Sequence, residues 1–458
     1  MVKFQKYVYR HAPIPGGGFV TGFVFHPTEK NILYARTDIG GVYRYDFDSK
    51  SWISLVDHVT HPGKWETYPL SIAVDNANPD WLYIAAGDWK NNYLCKSTDR
   101  GEHFEYYEMP VGVHGNAPGR ATGERLIVDP VNSGILYFGS QTDGLIVSLD
   151  GGAHWDKISV CPEGGKPETD IAFVWLDPRS ERNGRCQTIV VSTSGKENSP
   201  GNNIRGMSLY ISNDAGESFV PLPGQSLLPD IGNYPGFVGQ RATFDGEYLY
   251  ITMAAVGHSW AGWHGYACDM GGRQQGYVIR YKLSADGRIE NYKYITPDLS
   301  FLDKVKELKR QDAAKTGKID PNLLKSRSIN RINPITGFGG ICADSNHPGR
   351  LICSTQCCDV GDVIFYSEDR GEHWSPILYN LEIGEMEFDE VPYMKPEYNG
   401  GENLIHWLSD LKIDPFDSSR AVFNTGTGIF MTENLDAAEK IRQLYGGRAV
   451  EGWKKPFI

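Results

Sequence analysis

Four stretches of the chain repeat one short pattern: STDRGEHF (97–104), SLDGGAHW (148–155), SNDAGESF (212–219) and SEDRGEHW (367–374). Each reads Ser-x-Asp-x-Gly-x, then His or Ser, then an aromatic. The residue types suit a β-hairpin: the Asp carboxylate bonds turn amides, the Gly takes a backbone conformation other residues avoid, and the aromatic anchors the hairpin by packing. One copy constrains little. Four copies in one chain mark a repeat architecture.

A second repeat precedes these hairpins. It is an apolar strand, a connection rich in Pro, Asp, Asn and Gly, and a second strand. Seven copies are found, at 23–36, 72–85, 126–139, 174–191, 243–252, 341–354 and 411–424. Alternating β-formers on both sides of a polar turn predict strand, turn, strand. A four-stranded blade takes about 40–50 residues, so seven blades account for a chain of this length. The expected fold is all-β, a seven-bladed β-propeller over 8–436 with a C-terminal tail at 437–458. The first three hairpin motifs start 51 and 64 residues apart, whereas the last two start 155 apart, which fits two blade steps plus an insertion. Residues 299–327 supply it: basic, without strand signal, and with Phe301, Val305 and Leu308 at helical spacing. A surface helix packed on a blade is the expected form.

Composition narrows function. The formal net charge of -12 repels phosphate backbones, so no nucleic acid partner is expected. Aromatics at 12 % and 52 glycines suit short strands, tight turns and rings that stack on sugars. The 8 cysteines show no metal-ligand spacing and are expected to be mostly free buried thiols. No metal or other cofactor is expected. The N-terminus, MVKFQKYVYRHAP, lacks an apolar signal region, and no run of 18 apolar residues occurs, so the reading is cytoplasmic with no membrane partner.

Candidate site residues come from three places. In YARTDIGGVYR (34–44), Asp38 falls on the connection leaving the second strand of the first blade, with Arg36 before it and Gly40 and Gly41 after it. A turn Asp is the ordinary explanation; a carboxylate facing a groove, with glycines admitting a sugar, is the functional one. In GHSWAGWHGYACDMGG (257–272), Trp260, Trp263 and His264 cluster on a Gly-rich loop as candidate stacking subsites, and Asp269 repeats Asp-x-Gly-Gly. Trp65 and Tyr68 are further rim candidates. His26, His103, His154 and His373 fall at repeat positions and are read as structural, as are Asp143 and Asp410.

The Ser-x-Asp-x-Gly hairpin resembles the Asp-box (BNR) repeat of sialidase-type propellers, where it is structural. It does not imply sialidase activity. The stretch PGGGFVTGFVFHPTEKNILYARTDIGGVYRYD (15–46), with Trp52 beyond it, and WLSDLKIDPFDSSRAVFNTGTGIFMTENL (407–435) resemble glycoside hydrolase family 74, the xyloglucanases. That resemblance implies an inverting hydrolase of xyloglucan, a β-1,4-glucan bearing xylose branches, in endo or exo fashion. It makes Asp38 the general base, with a separate acid about 6.5–9.5 Å away. Family members pair two propellers, and the second supplies the acid from another Asp-x-Gly-Gly segment. The tail DAAEKIRQLYGGRAVEGWKKPFI contains no such motif. The acid is therefore expected from a second propeller polypeptide, from another carboxylate such as Asp269, or not at all. In the last case the chain would be a non-catalytic carbohydrate-binding or scaffold propeller. Family relatives are typically secreted, against the cytoplasmic reading of this N-terminus.

Overall fold

The computed structural model describes residues 10–11, 17–57, 68–117, 119–160, 170–193, 208–225, 237–255, 257–258, 264–265, 276–298, 337–356, 362–377, 379–380, 385–386, 407–426 and 428–435. Their strands form seven four-stranded antiparallel sheets, the blades of a β-propeller, with three small two-stranded hairpins between strands or blades. Blade 1 runs from its inner to its outer strand through Val20–Phe25, Leu33–Thr37, Val42–Asp46 and Ser51–Ser54. Blades 2 to 6 follow at 69–108, 126–158, 171–221, 237–294 and 337–377. Blade 7 takes three strands from 411–432, and its fourth comes from the other end of the chain. Arg10–His11 pairs with the strand Gly428–Thr432, Arg10 opposite Met431. The ring is thus closed by strand exchange between the two ends, which no periodicity in a two-residue strand announces. The only helical turn among the described residues is Pro178–Ser180, capped by the Asp177 side chain. The segment 299–327 and the tail 437–458 lie outside the described residues.

Consecutive strands are antiparallel, so connections leave alternate faces of the ring. Connections between second and third strands, and those from one blade to the next, share one face, called here the loop face. The turns between first and second strands and between third and fourth strands share the other, the hairpin face. The inner strand is bulged in blades 1, 2, 4, 5 and 6, where Thr21, Leu70, Ala172, Gln240 and Gly339–Gly340 fall between paired residues. Each bulge lies near the loop face. An extra residue bends the strand and re-aims its side chains toward the axis.

Both faces of each blade are buried against neighbours, so the cores lie between blades. Ile32, Tyr34 and Val42 of blade 1 pack with Ile72, Leu82 and Ile84 of blade 2, while Phe23 and Leu33 pack with Val422 and Ile429 of blade 7. This explains why the strands read as nearly continuous apolar runs.

The four repeated hairpins join third to fourth strands and share one geometry. The Ser hydroxyl bonds the Asp carboxylate at 2.8, 2.9, 2.7 and 2.9 Å in Ser97, Ser148, Ser212 and Ser367. The same oxygen accepts the Gly N–H at 2.8–2.9 Å. The glycines are required twice over: all four have φ between +80° and +102°, and a Cβ on Gly101 or Gly152 would strike Leu55 or Leu94 of the preceding blade. The motif therefore locks its own hairpin and seats it on the neighbouring blade. His103, His154 and His373 hydrogen-bond the motif carboxylates, and buried His26 accepts the Thr28 and Glu29 amides, so all four are structural.

Candidate active site

Asp38 opens the loop between the second and third strands of blade 1, on the loop face. Its fold is dictated locally. The Thr37 hydroxyl accepts the Gly40 N–H at 2.7 Å, and the Thr37 amide donates to the Gly41 carbonyl at 3.0 Å. Ile39 is left exposed at the tip. The two glycines serve protein packing. A Cβ on Gly40 would lie 1.9 Å from the Gly17 carbonyl oxygen, and Gly41, at φ +96°, abuts Val56. The space beside both α-carbons is taken by the chain itself, a different use from admitting a sugar.

The Asp38 carboxylate is held at both oxygens. Oδ1 accepts the Phe19 N–H at 2.7 Å, and the Asp38 amide donates back to the Phe19 carbonyl at 2.9 Å. Oδ2 lies 3.2 Å from the Arg120 Nε, with side-chain exposures of 9 % and 12 %. The Phe19 ring meets Trp407 edge-on at 5.6 Å. Phe19, Arg120 and Trp407 all belong to segments between blades, so the loop face converges on this carboxylate.

Arg36 does not join it. Although two residues away, its guanidinium points into the ring and is fully buried. Its Nε contacts both Glu124 oxygens at 3.0 Å, Nη1 donates to the Thr21 hydroxyl and the Arg120 carbonyl, and Nη2 donates to the Thr122 carbonyl. All three nitrogens have partners and none of the side chain reaches solvent, which corrects the expectation that Arg36 contacts substrate. Its role is positional: it clamps the loop between blades 2 and 3 at the residues that bring Arg120 to Asp38.

Around Arg36 lies a charged septum across the central channel, assembled from residues of separate blades. Glu124 also accepts the Ser71 hydroxyl at 2.6 Å and the Ile72 amide at 3.0 Å. Arg241 reaches Asp410 at 3.2 Å and donates to the Thr21, Ala121 and Ser409 carbonyls. Asp410 takes the Phe23 amide and Lys412 Nζ, at 2.8 and 2.9 Å. Burial raises its pKa, but Arg241, Lys412 and the amide outweigh this and hold it below the ordinary carboxylate value. Burial likewise lowers the Arg36 pKa, against the pull of Glu124. No local motif marks this cluster.

One blade round, the same face carries an aromatic group. Tyr68 and Trp89 flank His114, with ring centroids at 5.3 and 5.4 Å. Burial pushes the His114 pKa down. Trp89 is 42 % exposed and has φ +75°, a conformation unusual for a bulky residue. Backbone bonding to Val113 and the Asp88–His114 bridge hold it there. Tyr68 was expected from sequence; Trp89, in GDWKNN, was not, since only its place in the loop corresponding to that of Asp38 distinguishes it.

His264 falls on the connection between the second and third strands of blade 5, which leaves from the loop face. Gly257–His258 pairs with His264–Gly265 there, placing the His264 backbone. Trp65, Trp260, Trp263 and Asp269 lie outside the described residues. Asp143 receives the Gly112 amide and the Thr142 hydroxyl, a loop-stabilising arrangement.

No family model matches the chain. It is 30 % identical over 480 residues to an oligoxyloglucan-reducing end-specific xyloglucanase of Emericella nidulans, covering 95 % of this chain and 53 % of the relative. It is 30 % identical over 479 residues to a xyloglucanase of Paenibacillus sp, covering 95 % and 40 %. Among solved structures, the GH74 xyloglucanase from Xanthomonas campestris matches with a TM-score of 0.66 at 29 % identity, over 94 % of this chain and 54 % of that one. The chain spans about half the length of the curated relatives it matches.

Proposed function

Because the chain belongs to glycoside hydrolase family 74, we propose that it binds xyloglucan and contributes Asp38 as general base to inverting hydrolysis of the β-1,4-glucan backbone. The observation that carries the reading is the placement of Asp38. Its carboxylate is fixed by the Phe19 amide and the Arg120 guanidinium, at a point where segments from several blades meet on one face. An inverting base must hold a water against the anomeric carbon, opposite an acid that protonates the leaving oxygen. A carboxylate locked in orientation by two partners meets the positional demand, because misplacement of about 1 Å costs about a hundredfold in rate. Trp89, with His114 and Tyr68 behind it, offers an apolar platform for a pyranose ring of the same glucan chain. The acid is supplied by a second propeller, on the same or another polypeptide.

A second reading, glucan binding without cleavage, is favoured by one observation: both Asp38 oxygens already have protein partners and the side chain is largely buried. One experiment separates the two. The purified chain and its Asp38→Asn variant are incubated with xyloglucan, new reducing ends are measured, and retardation in a xyloglucan-containing native gel is scored. Release by the wild type alone supports the base assignment. Retardation of both without release supports the binder or an enzyme needing its second propeller, which adding a relative's second propeller in trans then resolves. Absence of both release and retardation refutes the glucan reading.

A further inference from the structure

We propose that the central channel contains a separate binding site for a small organic monocarboxylate with an apolar body. Below the septum, on the hairpin side, the channel encloses a cavity of about 350 Å³. Pro27, Ser345 and Pro415, from turns between first and second strands, line its outer end, so it opens on the face opposite Asp38. Its wall is apolar and aromatic, with Phe25, Phe173, Trp175 and Ile413 contributed by blades 1, 4 and 7. Its floor is charged, formed by Arg241, Glu124 and Lys412. An apolar wall with a few convergent charged groups is the usual make-up of a small-molecule pocket, and the volume is within the range of such sites.

The charge balance selects the ligand. Among the described residues, Arg36, Arg241 and Lys412 in the septum pair with Glu124 and Asp410, three positive groups against two negative. The Arg125–Asp170 pair beside it is balanced. Arg36 and Arg241 are engaged by carboxylates, backbone carbonyls and the Thr21 hydroxyl. Lys412 differs: its ammonium meets Asp410 Oδ1 at 2.9 Å, and its side chain is 22 % exposed and lines the cavity. An ammonium has three donors, so Lys412 retains hydrogen-bonding capacity for an incoming anion. A single negative charge completes the balance, whereas a phosphate dianion overshoots it beside Glu124 and Asp410. The apolar wall would strip water from sugar hydroxyls without replacing their hydrogen bonds, which disfavours a saccharide. A carboxylate on a ring or branched alkyl group satisfies the floor and the wall together.

Benzoate is the probe, titrated into the full chain by isothermal calorimetry at neutral pH, beside benzyl alcohol, acetate and a Lys412→Met variant. The expected result is one benzoate per chain. Benzyl alcohol, which keeps the ring and loses the charge, binds at least about tenfold more weakly, and so does acetate, which keeps the charge and loses the ring. Lys412→Met is expected to weaken benzoate at least tenfold, while the benzyl alcohol comparison tests the charge requirement without any variant. Absence of saturable benzoate binding up to about 20 mM overturns the proposal. Equal binding of benzyl alcohol, equal binding of acetate, or unchanged affinity in a folded Lys412→Met protein overturns it as well.

Discussion

Replacing Arg36 with Met keeps an unbranched stem that reaches about as far as Nε and removes the guanidinium that ties blade 1 to the loop between blades 2 and 3. In the native protein this group neutralises Glu124 at 3.0 Å and satisfies the Arg120 and Thr122 carbonyls at 2.8 Å each. Removing one partner of a buried ion pair costs about 3–5 kcal/mol. The lower end applies, because Glu124 retains the Ser71 hydroxyl, the Ile72 amide and the Arg241 guanidinium at 3.8 Å. Each abandoned carbonyl adds roughly 1 kcal/mol. The expected loss is about 4–5 kcal/mol, a large part of the ~5–15 kcal/mol stability of a folded protein. Urea unfolding followed by circular dichroism and by tryptophan fluorescence should show the midpoint falling by roughly 1.5 M, for a slope of about 3 kcal/mol per M. A midpoint drop below about 0.3 M would refute the assignment of Arg36 as the clamp of this loop.

Other outcomes follow from the same structure. Trp89→Gly should relieve the φ +75° backbone and leave stability unchanged or raised, while weakening xyloglucan retardation by about tenfold through loss of a stacking face. Equal retardation would remove Trp89 from the site. Gly40→Ala forces a methyl group onto the Gly17 carbonyl, displacing the segment that bonds Asp38; if the chain hydrolyses xyloglucan, reducing-end release should fall at least about tenfold. Ser148→Ala removes the hydroxyl shared by Asp150 and the Gly152 amide and should lower stability by about 1–2 kcal/mol in urea unfolding, with no change in xyloglucan binding. Burial lowers the pKa of His26 and His114 from 6.5, so each stabilises the fold as the neutral ring. That contribution is complete above pH 6.5 and is lost as pH falls through the lower folded values, so the urea midpoint should be lower at about pH 5 than at pH 7.5. A midpoint independent of pH across this window would contradict the assignment.

What the chain reveals in one dimension is what local chemistry repeats. The Ser-Asp-Gly hairpins and the strand-turn-strand units recur with their spacing, so blade number and the position of Asp38 between second and third strands could be read before any coordinates. Arg36 could not be placed this way. Its place in an ARTDIGG stretch associates it with Asp38, yet of its partners Thr21 lies on the inner strand and Arg120, Thr122 and Glu124 lie some 85 residues further along the chain. The septum shares this property: Arg241, Glu124 and Asp410 carry no common motif and meet only because the ring closes. Gly40 and Gly41 were legible as special positions, but whether protein or ligand fills the space beside them is a fact of packing. Trp89 gave no periodic signal, since one exposed aromatic in a polar loop is common.

The exchange of strands at blade 7 sets an order of events for biosynthesis. Arg10 pairs with Met431, so the strand that completes the last blade leaves the ribosome before any of the others. At about 5–20 residues per second, the roughly 420 residues between them take on the order of 20–80 s to be made. Throughout that interval the three strands of blade 7 at 411–432 have not been made, so its outer strand has nothing to pair with, and the earlier blades form an open arc whose end blades lack their final neighbours. A newly made chain must keep its first strand unclaimed until translation reaches the last blade, whereas a chain refolding from denaturant has both ends in hand from the start. Pulse-labelled nascent chains should therefore remain sensitive to protease until residues 411–432 have emerged, then become resistant in a single late step.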